Sequence, residues 1–368
     1  MNANTDFSRE VHCILGLPFD AISLTSAVQR VGTAAVNRTP CFLSTPNLNF
    51  LIASQSDSEF RQSVINSDLS VADGMPIVWI AKLLGIPIRE RVAGSTLFEQ
   101  LRAGSTPRLS VYFYGGMAGV AETACKQLNA KNSGVVCAGF ESPGFGSIQE
   151  MSGSESLYKI NASGADFLIV SLGAKKGQAW IEHNRSQISV PIISHLGAVI
   201  NFVAGGLDRA PLWVQRSGFE WLWRIKEEPG LWRRYASDGL ATLKLLLVRV
   251  IPYAWFIYRN KPKEQELASA SFKFHDDGAS IIIQLHGPWH ISNLKPLRAC
   301  LSSLELVDKE VQINMENVAY VDSAFIGLLL LLHGDRKKQG RRLVFCNLSK
   351  RVLQIFKYSC AEFLLEAC

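Results

Sequence analysis

At 368 residues, 48% apolar and 19% charged, the chain is long enough for two domains with real cores and too apolar to be disordered. The formal charge of +6 is modest, which argues against a generally basic nucleic-acid binder; Lys and Arg instead concentrate between Arg209 and Lys263, pointing to a local anionic partner. Eight cysteines lie without a C-x-x-C pair or a His-Cys cluster, so they read as small buried residues of a reducing cytoplasm; the N-terminus MNANTDFSREVHCILGLPFD shows no secretory signal, and a cytoplasmic location is expected.

In chain order, VHCILGLPFDAISLTSAVQRV reads as strand, turn and helix. CFLSTPNLNFLIA is a buried strand running into a turn at Pro46, and LSVADGMPIVWIAKLL is a strand end, an Asp-Gly turn and a helix. Thr45, Asn47, Asp73 and Arg91 therefore fall at the ends of apolar runs, where an α/β sheet presents its binding loops. At the strand-to-helix junction, the Asp73 carboxylate serves either as a helix cap or as a proton acceptor for a substrate hydroxyl.

SVYFYGG (110 to 116) ends a strand in Gly115 and Gly116, a turn that suits either close packing or the approach of backbone N–H groups to a phosphate. ADFLIVSLG (165 to 173) leads to Lys175, Lys176 and Gln178, a place for a diphosphate or sugar hydroxyl or for solvated lysines. VPIISHLGAVINF (190 to 202) closes an α/β alternation that predicts a Rossmann-like, mostly parallel sheet with helices on both faces.

The segment 209–261 holds five of the eight tryptophans and ten Lys and Arg against four Asp and Glu. Such a helix suits the headgroup boundary of an anionic membrane surface; a docked amphipathic pair or a dimer contact is the other reading. Leu240 to Tyr258 is long enough to span a bilayer, but Lys244, Arg249 and Pro252 interrupt it. Each central charge costs about 2.5 to 3.5 kcal/mol on insertion, which favours an interfacial helix.

The ordered motifs resemble the WecG/TagA/CpsF family of bacterial glycosyltransferases from about Val11 to Tyr235. They are Thr45-Pro46-Asn47, Asp73-Gly74, Arg91-Val92-Ala93-Gly94, Gly115-Gly116, LGAKKGQAW (172 to 180), and Arg209-Ala210-Pro211 with Glu220-Trp221-Leu222-Trp223-Arg224. The fifth departs from the family's Leu-Gly-x-Pro-Lys-Gln-Glu-x-Trp: Lys175, Gly177 and Gln178 stand at its Pro, Gln and Glu positions.

The resemblance implies a UDP-sugar donor carrying an N-acetylhexosamine, N-acetylmannosamine or its uronic acid, and an undecaprenyl-diphosphate-linked sugar acceptor in cell-surface polysaccharide synthesis. On that reading Asp73 is the general base of an inverting transfer, Thr45 and Asn47 orient sugar hydroxyls, and Arg91 meets charge on the leaving diphosphate. Gly115, Gly116, Lys176 and Gln178 hold the donor; Arg224, Arg233 and Arg234 reach the acceptor's pyrophosphate. The chain has no Asp-x-Asp, so no metal cofactor is expected.

Beyond a linker, 261–270, the remainder from 271 to 368 reads as two strands around an Asp-Asp-Gly turn, a helix, then strand, loop, helix, strand and helix. It resembles the STAS domains of anti-sigma factor antagonists. Their Asp-Ser-Ser/Thr-Gly-x-Gly reads Asp322-Ser323-Ala324-Phe325-Ile326-Gly327 here, which leaves Ser323 as a phosphoacceptor or, with Asp322, a plain N-cap. The expected division is a donor-binding domain at 1–206, a membrane and acceptor appendage at 207–260, the linker, and a STAS-like domain that docks a protein partner. The alternative function is a non-catalytic membrane adaptor recruiting partners through that domain. An epimerase or dehydrogenase fits less well, since no G-x-G-x-x-G follows the first strand.

Overall fold

The computed structural model of the chain describes residues 5–104, 108–131, 133–206, 210–211, 213–214, 218–227, 230, 232–276, 278–304 and 309–366, without the side chains of Arg224, Glu227 and Arg234. The chain opens with a hairpin, β1 (Val11–Ile14) and β2 (Leu17–Asp20), followed by α1 (Leu24–Val36). The expected single strand is thus two. Leu15 and Gly16 take positive φ values of 49° and 85°, the mirror-image turn that matches the twist of a two-residue hairpin.

The main sheet follows: β3 (Cys41–Ser44), α2 (Leu48–Ser56), α3 (Ser58–Ile65), β4 (Leu69–Ser70), α4 (Met75–Leu83), α5 (Gly94–Ala103), β5 (Leu109–Gly115), α6 (Val120–Asn129), β6 (Val135–Glu141), α7 (Ser154–Ala162), β7 (Phe167–Ser171), α8 (Ala174–Asn184), β8 (Ile192–His195) and α9 (Val199–Val203). Its six strands are all parallel in the order β4-β3-β8-β7-β5-β6. Successive residues of a strand face opposite ways, so both faces are apolar. Val111 and Phe113 of β5 pack with Val31, Phe98 and Ala121 on one side; Tyr112 and Tyr114 pack with Leu157 and Trp180 on the other. This is the Rossmann-like architecture expected, and it gathers the carboxyl ends of the strands along one edge.

The cysteine reading needs one correction, because Cys125 on α6 and Cys137 on β6 form a disulfide with Cα atoms 5.2 Å apart. Asn129 brings the two elements together: its Oδ1 accepts from Cys137 N at 2.9 Å and its Nδ2 donates to Cys137 O at 3.1 Å. Cys13, Cys41 and Cys360 are buried thiols, pushed up to about 12 chiefly by burial.

The appendage comprises the helices Glu220–Glu227 and Trp232–Leu245, a π-turn Leu246–Val250, and the helix Ile251–Asn260. Pro252 does not interrupt it: a continuous helix runs 26 residues, Tyr235–Asn260, long and apolar enough to cross a membrane by length and composition. Proline withdraws one N–H, and the π-turn just ahead of it accommodates the shift in hydrogen bonding.

The C-terminal part is a mixed sheet in the order β12-β11-β10-β9, with β9 (Ser271–Asp276), β10 (Ser280–Trp289), β11 (Glu310–Val321) and β12 (Leu343–Cys346). Helices Lys295–Ser303, Ser323–Lys338 and Lys350–Tyr358 cover it. A short helix, Glu264–Leu267, lies within the expected linker.

The two halves share one core, in which Phe7, Val11, Cys13, Ile65 and Tyr253 pack among Ile313, Phe325 and Leu329. Helix Ser323–Lys338 lies against the β1–β2 hairpin so closely that a Cβ at Gly327 would come within 2.7 Å of the Val11 carbonyl carbon. The hairpin is anchored on its other side by a buried ion pair. Asp20 binds Arg9 at 2.6 Å and accepts from Ser70 N at 2.7 Å, while Arg9 Nη1 donates to Ser67 O at 2.8 Å.

Candidate active site at the carboxyl edge of the sheet

Asp73 follows β4, where the chain leaves the sheet for α4. The helix is capped by Gly74, at φ 130°, with no side-chain cap hydrogen bond, so Asp73 is not its N-cap. Its backbone N–H donates to Pro46 O at 3.0 Å, and its carboxylate turns to Arg91, whose Nε lies 3.2 Å from Oδ1. Arg91 is placed by its neighbour, as Val92 N donates to Ala72 O at 2.8 Å. The guanidinium's Nη1 also meets Glu220 Oε2 at 2.5 Å. Burial alone would weaken the guanidinium's hold on its proton, but Asp73 and Glu220 outweigh it, so Arg91 is a fixed cation between two carboxylates.

Glu220 belongs to the appendage, so two parts of the chain distant in sequence close on one cation. The sequence reading missed it as a site residue, although an acidic side chain at the head of a basic segment was a usable signal.

Thr45, just past β3, is buried, and a Cβ at Gly94 would stand 3.4 Å from its Cγ2 and against Leu196. Asn47 caps α2, its Oδ1 accepting from Phe50 N at 3.2 Å. The Thr-x-Asn strand end, the Asp-Gly turn and the Arg-Val-x-Gly segment thus converge.

Other expected contacts lie differently. Gln178 is only 1% exposed, on the inward face of α8; its Nε2 donates to Ser44 Oγ at 3.1 Å, so it braces the end of β3 from within the fold. Lys176 Nζ donates to Gly146 O at 2.6 Å, and Lys175 pairs with Asp57 at 2.9 Å. Gly115 is required for packing, since a Cβ there would come within 2.6 Å of Ser171 O; the Gly116 N–H donates to that same oxygen at 2.8 Å.

A residue the sequence did not single out stands among these. His195 ends β8, opposite Val170 of β7, and its Nε2 is buried with no hydrogen-bond partner among the described residues. Burial lowers the imidazole to about 4. The available signal was a lone polar ring at the carboxyl end of an apolar parallel strand.

Arg233 is exposed, its guanidinium 5.7 Å from the centre of the Trp232 ring; the side chains of Arg224 and Arg234 lie outside the described residues, as does all of Arg209. Ser323 is far from exposed at 8%, and its Oγ lies 3.0 Å from His12 Nδ1 of the hairpin. Asp322 caps the helix, accepting from Phe325 N at 2.8 Å. Ser323 is therefore covered by the protein's own N-terminal hairpin. Among the described residues no three His, Cys, Asp or Glu side chains gather as a metal site.

Two families match the chain, one over each of its parts. Residues 12–255 match the glycosyl transferase WecG/TagA/CpsF family, and residues 272–365 match the Mlab, STAS domain family. Among similar curated proteins is an N-acetylglucosaminyldiphosphoundecaprenol N-acetyl-beta-D-mannosaminyltransferase of Bacillus spizizenii, 27% identical over 60% of this chain and 85% of its own length. Proteins of the same name from Bacillus subtilis (21% identical, 64% of this chain, 91% of its own) and Staphylococcus aureus strain MW2 (23%, 60% and 85%) are also similar.

Proposed function

The chain belongs to the WecG/TagA/CpsF family of glycosyltransferases, and from that premise we propose that it moves an N-acetylhexosamine, N-acetylmannosamine or its uronic acid, from a UDP-sugar to an undecaprenyl-diphosphate-linked sugar. The acceptor is inferred from the relatives' printed names, which specify an N-acetylglucosaminyldiphosphoundecaprenol. The observation that carries the reading is the Asp73–Arg91 pair, in which a carboxylate released from helix capping is held beside a fixed cation at the sheet edge.

In the proposed step the acceptor hydroxyl oxygen bonds to the anomeric carbon while the bond from that carbon to the diphosphate oxygen breaks. Asp73 takes the hydroxyl proton and UDP leaves with the bonding pair; one direct displacement inverts the anomeric centre. Arg91 meets the charge that develops on the departing diphosphate, the task a divalent ion performs in enzymes with an Asp-x-Asp.

Attachment to the inner face of the plasma membrane is part of this proposal. Along Tyr235–Asn260 only 11% of the most apolar stretch is buried, and Leu240, Leu243, Leu247, Ile251, Trp255 and Tyr258 are exposed at helical spacing. The opposite side is held by protein: Val250 and Tyr253 are buried, and Arg249 Nη1 meets Glu362 at 3.0 Å. A helix docked along one side and apolar along the other suits the membrane surface better than a crossing.

The test is UDP release by purified full-length protein given UDP-sugars and a short-chain lipid-diphosphate-GlcNAc acceptor, with and without EDTA. Acceptor-dependent release that persists in EDTA and disappears in Asp73→Asn supports the reading. Strict loss in chelator overturns the metal-independent step, and a near wild-type rate in Asp73→Asn removes Asp73 as the base.

A further inference from the structure

We propose that the His195 imidazole contacts the donor, presenting Nε2 to the nucleotide-sugar from the space that a side chain at position 177 would occupy; the assignment rests on the transferase reading above.

The first support is steric. Gly177 faces inward in the first turns of α8, and a Cβ added there would strike the His195 ring, with Cγ at 2.9 Å and Nε2 at 3.1 Å. A Cβ at Gly197 would lie 3.2 Å from Nε2 on another side. The ring fits because two glycines make room for it. The family motif carries Gln at the position of Gly177, and that side chain and the His195 ring could not share this space. Here the polar group stands on the strand, and the helix position facing it is a glycine.

The second support is the unmet hydrogen-bonding capacity. Nε2 is buried without a partner among the described residues, and so is Ser171 Oγ at the end of β7. An unpaired buried polar atom is costly, and such atoms in a native fold call for an explanation. A ligand that pairs with them supplies one.

The third is position. β7 and β8 are central strands, and their carboxyl ends lie on the edge where parallel sheets bind ligands. Leu196, the next residue, packs on Gly94 beside Thr45. Burial keeps the ring neutral near pH 7, so it offers one N–H donor and one acceptor rather than a charge. That chemistry matches a sugar hydroxyl, an acetamido group or a diphosphate oxygen.

The experiment uses full-length protein with UDP-N-acetylmannosamine, or its uronic acid where the first does not turn over, and the lipid-diphosphate-GlcNAc acceptor. His195→Ala should raise the donor KM at least tenfold while the acceptor KM and Tm stay put, and His195→Gln should restore most of the loss. The double variant His195→Gly with Gly177→Gln, which returns the polar group to the helix, should recover donor KM relative to His195→Gly alone. An unchanged donor KM in a folded His195→Ala protein overturns the proposal, as does an equal rise in both KM values. If His195→Ala does not fold, the folded double variant decides: a donor KM within threefold of wild type supports the assignment, and a tenfold loss overturns it. Calorimetric titration of the same UDP-sugar without acceptor reads His195 independently of turnover. A wild type that binds the donor but transfers nothing defeats the transferase reading and leaves this comparison intact; one that does neither defeats both.

Discussion

Glu220 of the appendage lies 2.5 Å from Arg91 of the sheet edge, and Arg91 in turn holds Asp73 at 3.2 Å. The appendage therefore reaches the proposed chemistry through one guanidinium. Replacing Arg91 with Ala should lower kcat by about 10²- to 10³-fold, the usual effect of removing one group that meets developing charge. Glu220→Gln should cost less, on the order of tenfold, because it loosens Arg91 without removing it. Steady-state kinetics of the two variants checks the order; equal losses would mean that Glu220 has a role of its own.

The Arg9–Asp20 pair is almost wholly buried, so breaking it leaves a charge without compensation. Asp20→Ala should destabilise the fold by about 3 to 5 kcal/mol, the cost of removing one partner of such a pair. Urea denaturation with an unchanged slope checks it. A loss under 1 kcal/mol would mean that water reaches Arg9.

His12, His195 and His333 are all lowered to about 4 from 6.5, in each case chiefly by burial. Their folded values lie below the unfolded ones, so the unfolded chain binds more protons between these limits and stability rises with pH there. The histidines' contribution is complete above about pH 6.5 and is lost as pH falls toward 4. Tm should therefore drop across pH 6.5 to 4, and the Ala variants at positions 12 and 195 should flatten the slope.

The exposed apolar strip gives a prediction on membranes. Leu247→Glu with Trp255→Glu should weaken sedimentation with anionic vesicles at least tenfold while UDP binding is kept, since both side chains are exposed on the outer side of the helix. Undiminished sedimentation would place the contact elsewhere.

Much of this was legible in the sequence because periodicity and strand-end chemistry are local. The parallel sheet followed from short apolar runs alternating with helices, and Thr45, Asp73 and Arg91 followed from their places at run ends. Gln178 was misplaced because helical phase decides whether such a side chain faces solvent or sheet, and one glycine beside it gave no phase. His195 was missed for the complementary reason: its significance lies in the ring's fit against Gly177, a contact between segments with no mark in either one. Glu220 and the covered face around Ser323 depend on which surfaces the two halves bring together, which no local pattern records.

The hairpin pressed against Gly327 also bears on the order of assembly. His12 and Ser323 meet across 311 positions, so the β1–β2 hairpin finds its seat only after helix Ser323–Lys338 has been made. Until then Val11 and Cys13 lack the surface that covers them in the finished protein. The thermodynamic cost of so long a closure grows only with the logarithm of its length, but the wait during synthesis is real. The hairpin is thus sealed long after it emerges, and the C-terminal part acts as the lock of the fold that precedes it.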